Sequence, residues 1–334
     1  VPSRLATDDE ITTWQQHGWV LLEGLVSSEE VDGSLDDLHQ IFPTAAAYHA
    51  DPVGVTRRWL GPRQEHGEKS IWPADGPGFR NEQHRWHVEF PFVGSGALNR
   101  LCVHPSVVDF AERALGGRHI RLYQSHVTAA YAGLTNYEQP MHMDRNHSWL
   151  PPGSTAPWWN LEGFLYLSDV TDEDNPTRVV SVDDSAHVPA ITPIVMPETD
   201  ARLYRSEKRA TGVRGSYLAY RSDVFHRGAP FGAAGRARFL LALAFRRAEV
   251  EWIGYNQAQS RSTDPEWTRF AQQATPRQLE LFGFPPPGHP VWTHEVLAAT
   301  ALLYPRLDLD PWRAALDGTG SPGRSGVDGE VGVP

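Results

Sequence analysis

The chain has 334 residues, 40% hydrophobic and 21% charged, with a formal net charge of −11 and an isoelectric point of about 5.7. That composition supplies enough apolar mass for a globular core. Its acidity argues against nucleic acid or an anionic membrane as partner, since both usually demand a basic field. A single cysteine, Cys102, excludes a disulfide framework and a thiolate zinc cluster.

In chain order, Thr7 and Glu10 form a capping box that opens "TDDEITTWQQHG", and Gly18 stops that helix. "WVLLEGL" reads as a short strand, and Ser27 with Glu30 repeats the capping box ahead of a helix over "EEVDGSLDDLHQIF". Residues 43–99 are rich in Gly, Pro, Trp and His and predict long loops with short elements. "PSVVDFAERALGG" predicts a helix, and "HIRLYQSHVTAAYAG", "NLEGFLYLSDVT", "TRVVSV", "GSYLAYRSDVFH" and "ARFLLALAFRR" predict strands. Turn signals separate those strands, so residues 120–247 read as a β-sandwich or jelly roll with helices in front, an α+β class with a mainly β core. Residues 248–315 predict a helical cover whose prolines act as linker, and 316–334 have the composition of a disordered tail. The expectation is one domain over 1–315. No apolar run reaches membrane-spanning length, and "VPSRLATDDE" lacks an apolar signal core, which predicts a cytoplasmic protein.

The chemistry concentrates in "QPMHMDRNHSW". On an extended backbone, positions i and i+2 face the same way, so His142 and Asp144 converge while Met143 points elsewhere. His226, just before a Gly/Pro turn, is the candidate third ligand. Two histidines and a carboxylate form the facial set of non-haem Fe(II) oxygenases, which leaves coordination positions open. Zinc more often takes a tetrahedral N/S set. Arg238 opens the apolar strand "RFLLALAF", expected antiparallel to the strand of His226. A buried arginine needs an anion, and a small dicarboxylate at the metal is a natural partner. Arg236 is the alternative.

The order "HGWVLLEGLVSSEEV", "LYQSH", His-x-Asp, "DNPTRVV", His, Arg resembles the phytanoyl-CoA dioxygenase family across residues 8–247. The resemblance implies a double-stranded β-helix (jelly roll, cupin-like) with flanking helices, and the cofactors Fe(II), 2-oxoglutarate and O2. It implies His142, Asp144 and His226 as iron ligands and Arg238, or Arg236, on the distal carboxylate of 2-oxoglutarate. Gln124 falls where the family has a co-substrate contact. Gly228, Leu165 and "SVDDSAH" depart from the family's usual residues. The implied reaction converts 2-oxoglutarate to succinate and hydroxylates a small organic molecule, with natural-product tailoring the expected setting. Asp144 argues against halogenation, because related halogenases carry a small residue there. No cluster of Lys and Arg is evident to hold the phosphates of a CoA thioester.

His147, Trp86 and Trp158 are candidate substrate contacts, with a satisfied loop histidine as the plain alternative for His147 and packing for the tryptophans. His84 and His87 read as cover over the barrel mouth, with Trp86 and Phe90 packed inward. Two rival readings stand: the same iron chemistry ending in desaturation, cyclisation or epimerisation, and a cupin-like metal-binding protein without redox chemistry.

Overall fold

The computed structural model describes residues 2–64, 85–92, 94–133, 138–144, 158–189, 192, 194–250 and 265–318. The chain divides into two compact units, Val1–Ser262 and Thr263–Pro334.

In the first unit the described strands are β1 (Trp19–Leu22), β2 (Arg85–Glu89), β3 (Ile120–Tyr131), β4 (Met141–His142), β5 (Asn160–Tyr166), β6 (Thr177–Val179), β7 (Ile194–Val195), β8 (Lys208–Arg209), β9 (Tyr217–Tyr220), β10 (His226–Gly228) and β11 (Ala237–Arg247). They form two antiparallel sheets, ordered β1-β9-β5-β11-β3-β2 and β7-β4-β10-β6-β8. A buried cluster joins Tyr166, Leu218, Tyr220 and Leu240 of the larger sheet to Val179 of the smaller, so the core lies between them. Strand alternation sets what faces this core. Glu162, Phe164 and Tyr166 stand opposite Tyr220 and Leu218 on one side and Ala242 and Leu240 on the other. The inner row continues to His126 and Thr128 of β3. Helices flank the larger sheet: Trp14 of Asp8–His17 meets Phe110 of Pro105–Ala114 edge-on at 6.4 Å, and Phe110 meets Tyr217 at 6.2 Å.

The capping box at Thr7 forms as expected, and Gly18 ends that helix at φ +84°. A Cβ there would stand 2.6 Å from Val224 and 2.7 Å from Val182, so glycine is required for both conformation and space. The helix expected over "EEVDGSLDDLHQIF" is two, Ser28–Asp32 and Leu35–Ile41. The Ser34 hydroxyl donates to the Val31 carbonyl at 2.7 Å, a local bond that competes with continuing the helix. Within 43–99 the helix Pro52–Gln64 was not foreseen, because its Pro and Gly residues read as breakers.

A second difference bears on the site. "GSYLAYRSDVFH" is not one strand: β9 lies in the larger sheet, β10 in the smaller, and residues 221–225 form the corner between them. β11 therefore pairs with β3 and β5, not with the strand of His226. The corner is held by Arg221, which is buried. Its Nε donates to Asp223 at 2.8 Å, its Nη1 to the Gln15 carbonyl at 2.7 Å, and its backbone N–H to the Gly18 carbonyl at 2.8 Å.

The second unit contains helices Pro265–Ala271, Pro276–Glu280, His294–Leu303 and Asp310–Leu316. Trp267, Phe270 and Phe282 pack with centroids 5.3 to 5.8 Å apart, and Trp292 and Trp312 both donate indole N–H bonds to the Pro285 carbonyl. The prolines expected as linker thus supply an acceptor for this aromatic core. No helix among the described residues is long and apolar enough to cross a membrane.

Removing one partner of a buried ion pair strands the other charge. Asp223→Ala is expected to destabilise the fold by about 3 kcal/mol or more. Asp32→Ala, which breaks the exposed pair with Arg214, is expected to cost less than about 1 kcal/mol. Urea unfolding of the two variants checks the contrast.

Candidate metal centre

β4 and β10 are neighbours in the smaller sheet, and His142 is the register partner of His226. Directly opposed residues share a face, which puts the imidazole centroids 4.4 Å apart. Asp144, just past the end of β4, is two residues from His142 and returns to that face. Met141 and Met143 take the other face and are buried with Val180, Val195, Leu203 and Phe225. Among the described residues, one set of three His, Cys, Asp or Glu side chains can hold a metal ion, namely His142, Asp144 and His226, with one ligand atom from each lying within 4.8 Å of the others.

Both imidazoles are oriented by backbone. His142 Nδ1 lies 2.9 Å from the Pro140 carbonyl and His226 Nδ1 lies 3.2 Å from the Val224 carbonyl, so each Nδ1 carries the proton it donates and each Nε2 keeps its lone pair. The Nε2 atoms reach Asp144 at 4.0 Å from His142 and 3.3 Å from His226. Ligand atoms bound at right angles to one ion lie roughly 3 Å apart, so small rotations satisfy a metal. Burial works against a charged His226, but the charge and hydrogen bond of Asp144 outweigh it, with the Val224 carbonyl and Glu162 adding to them, and the imidazole is raised above its ordinary range. A cation placed between these groups would take over the role of that proton.

Behind the three lies a buried polar network that sequence reading missed. Tyr220 donates to Asp144 Oδ2 at 3.0 Å. Glu162, the register partner of Tyr220, accepts from Tyr123 and, at 2.9 Å, from Asn160 Nδ2. Asn160 Oδ1 in turn accepts from Ser222 at 2.9 Å, in the corner leading to His226. Tyr123 reaches the network because the β3–β11 register slips there: Gln124 opposes Ala244 and Leu122 opposes Phe245, leaving Tyr123 as the extra residue. Burial, then the charge of Asp144, pushes the Glu162 carboxyl up to about 8. One signal was available: an acidic residue inside the apolar run "NLEGFLYL" has to be paired or neutral.

The other expected residues separate. Gln124 lies on the inner face of β3, with Nε2 3.5 Å from His126 Nδ1. Arg238 is buried at the start of β11, and its Nη1 donates to the Asn175 carbonyl; the Asn175 amide donates to the Ala229 carbonyl, beyond β10. Arg238 therefore reaches the chain after His226 through the "DNP" turn. Arg236 is half exposed and pairs with Asp174 at 2.8 Å and Glu173 at 3.5 Å. Trp86 is the partner of Ala129, on the opposite face of β3 from His126, and packs against Tyr48 and Tyr131. His87, not Trp86, shares the inner face, with its ring 5.9 Å from that of His126. Trp158 lies 3.8 Å from the Arg221 guanidinium and edge-on to Trp14, so it packs on the first helix. His147 and His84 lie outside the described residues.

No protein-family model matches the chain, and no curated protein matches it in sequence. Solved structures do match. The non-heme alpha ketoglutarate dependent carbocyclase SnoK from nogalamycin biosynthesis superposes with a TM-score of 0.54 at 14% identity, over 77% of this chain and 90% of that one. The epimerase SnoN, in complex with Fe3+, alpha ketoglutarate and nogalamycin RO, superposes with a TM-score of 0.50 at 17% identity, over 72% of this chain and 83% of that one. These likenesses establish a shared fold.

Glu162 faces Asp144, His226, Tyr123 and Tyr217. It holds its proton up to about 8 when folded, against 4.5 for an ordinary glutamate. Between those values the folded chain binds more protons than the unfolded one. The associated stability is complete below the lower value and is lost as pH rises through the upper. With metal removed, the melting temperature is expected to fall as pH rises from about 5 to about 8, and to fall less in Glu162→Gln, which keeps an acceptor oxygen. Equal slopes in the two proteins would contradict the assignment.

Proposed function

We propose that this chain is an Fe(II)- and 2-oxoglutarate-dependent oxygenase built on a double-stranded β-helix, acting on a C–H bond of a small organic molecule. The observation that carries the reading is the meeting of His142, Asp144 and His226 on the inner face of the smaller sheet, with both Nε2 atoms aimed at the carboxylate. The donor set fits iron: two neutral imidazoles and one carboxylate, with no thiolate, leave positions for a chelating co-substrate and O2. When bound, iron and 2-oxoglutarate supply the oxidation, in which O2 is consumed, 2-oxoglutarate becomes succinate and CO2, and a substrate C–H bond is oxidised.

The chain's own residues do the holding. The Pro140 and Val224 carbonyls fix the histidine tautomers. Arg238, buried and joined through Asn175 to the chain beyond β10, is the residue we assign to hold the distal carboxylate of 2-oxoglutarate. The ion pairs of Arg236 with Asp174 and Glu173 support that choice over Arg236. Gln124, on the inner face of β3, is a candidate second contact for the co-substrate.

A carboxylate at position 144 argues against halogenation, and hydroxylation is the outcome we propose first. Cyclisation or epimerisation is the second reading, supported by a fold shared with a carbocyclase and an epimerase of one biosynthesis. Product masses separate them: hydroxylation adds one oxygen atom, cyclisation removes two hydrogens, and epimerisation changes no mass.

Anaerobic addition of Fe(II) and 2-oxoglutarate is expected to produce the weak visible charge-transfer band of the chelate, and air is then expected to release succinate. Asp144→Ala should lose both. Arg238→Ala should raise the 2-oxoglutarate requirement roughly 30-fold or more, about 2 kcal/mol, while Arg236→Ala leaves it within about twofold. A protein that binds metal yet forms no chelate band and no succinate would be a non-redox metal binder.

A further inference from the structure

We infer that Tyr220 is a positioning residue of the metal centre, holding Asp144 from the facing sheet; the inference rests on the iron reading above. The two histidines are constrained twice, by pairing across β4 and β10 and by their bonds to backbone carbonyls. Asp144 stands outside that ladder. It lies beyond the end of β4, and its side chain is 30% exposed, against 6% for each histidine. A hydrogen bond from outside the ligand set helps keep a carboxylate aimed at a metal.

Tyr220 supplies one. Its backbone is paired on both sides, to Trp19 of β1 and Glu162 of β5, and the next residue is the buried Arg221 of the corner. From that fixed base its hydroxyl donates to Asp144 Oδ2 at 3.0 Å. Its ring lies 4.6 Å from the His226 imidazole and 5.9 Å from Phe164, and the residue is only 2% exposed. One side chain therefore touches two of the three candidate ligands, and it comes from the sheet that carries neither. A hydroxyl suits the place, because it orients the carboxylate without adding a positive charge that would oppose a cation.

The test is anaerobic Co(II) titration of wild type and Tyr220→Phe, which keeps the ring and removes only the hydroxyl. The expected result is a dissociation constant about tenfold or more weaker in the variant, with an altered Co(II) absorption spectrum. The 2-oxoglutarate requirement at saturating metal is expected to stay within about twofold, a split that general loosening of the fold would not give. Tyr220→Met, which also lacks the hydroxyl, provides the same comparison should the first variant fold poorly. An unchanged dissociation constant and spectrum in a folded variant would overturn the inference and leave the iron reading standing. Failure of wild type itself to bind Co(II) would remove both.

Discussion

The antiparallel pairing of β4 with β10 is the constraint on which the rest depends. It sets His142 directly opposite His226, although the two are far apart in sequence, and it aims both imidazoles at the space between the sheets. Each strand is short, so register comes from its neighbours: β7 beyond β4, and β6 beyond β10. A slip by one residue would turn Met141 or Arg227 inward and dismantle the set. The methionines flanking His142 resist such a slip, because both are buried on the outer face among apolar partners.

The second constraint is that the interior near this pair is polar, and burying polar groups is costly unless each is answered. Glu162 is answered by Tyr123 and Asn160 and by staying protonated. Arg221 is answered by Asp223 and a helix-end carbonyl. These arrangements tie the site to the scaffold. Ser222 of the corner bonds Asn160 of β5, and Arg221 of the same corner bonds the last turn of the first helix, so the approach to His226 is fixed from both sides.

Much of this is legible in the sequence. His-x-Asp followed by a distant histidine at a strand end led to the triad, and strand alternation already sent Met143 away from it. The buried character of Arg238 followed from its place at the start of an apolar run. Other features were not legible. The apparent strand "GSYLAYRSDVFH" changes sheets at Arg221, so the strand of Arg238 does not pair with that of His226 as the pattern implied. Trp86 and Trp158 looked like pocket residues, yet one packs with Tyr48 and Tyr131 and the other on Arg221. An aromatic residue announces burial but not the face on which it is buried.

The sequence by itself determined what periodicity and short-range hydrogen bonding control: the first helix between Thr7 and Gly18, the longer strands β3, β5 and β11, and the shared face of His142 and Asp144. Tertiary structure alone decided which strands pair, where the chain crosses between sheets, and that Tyr220 reaches a carboxylate 76 residues away. The reason is physical. Caps and alternation depend on neighbours a few residues off, whereas a contact between sheets depends on how two packed faces settle together, and no local pattern carries that information.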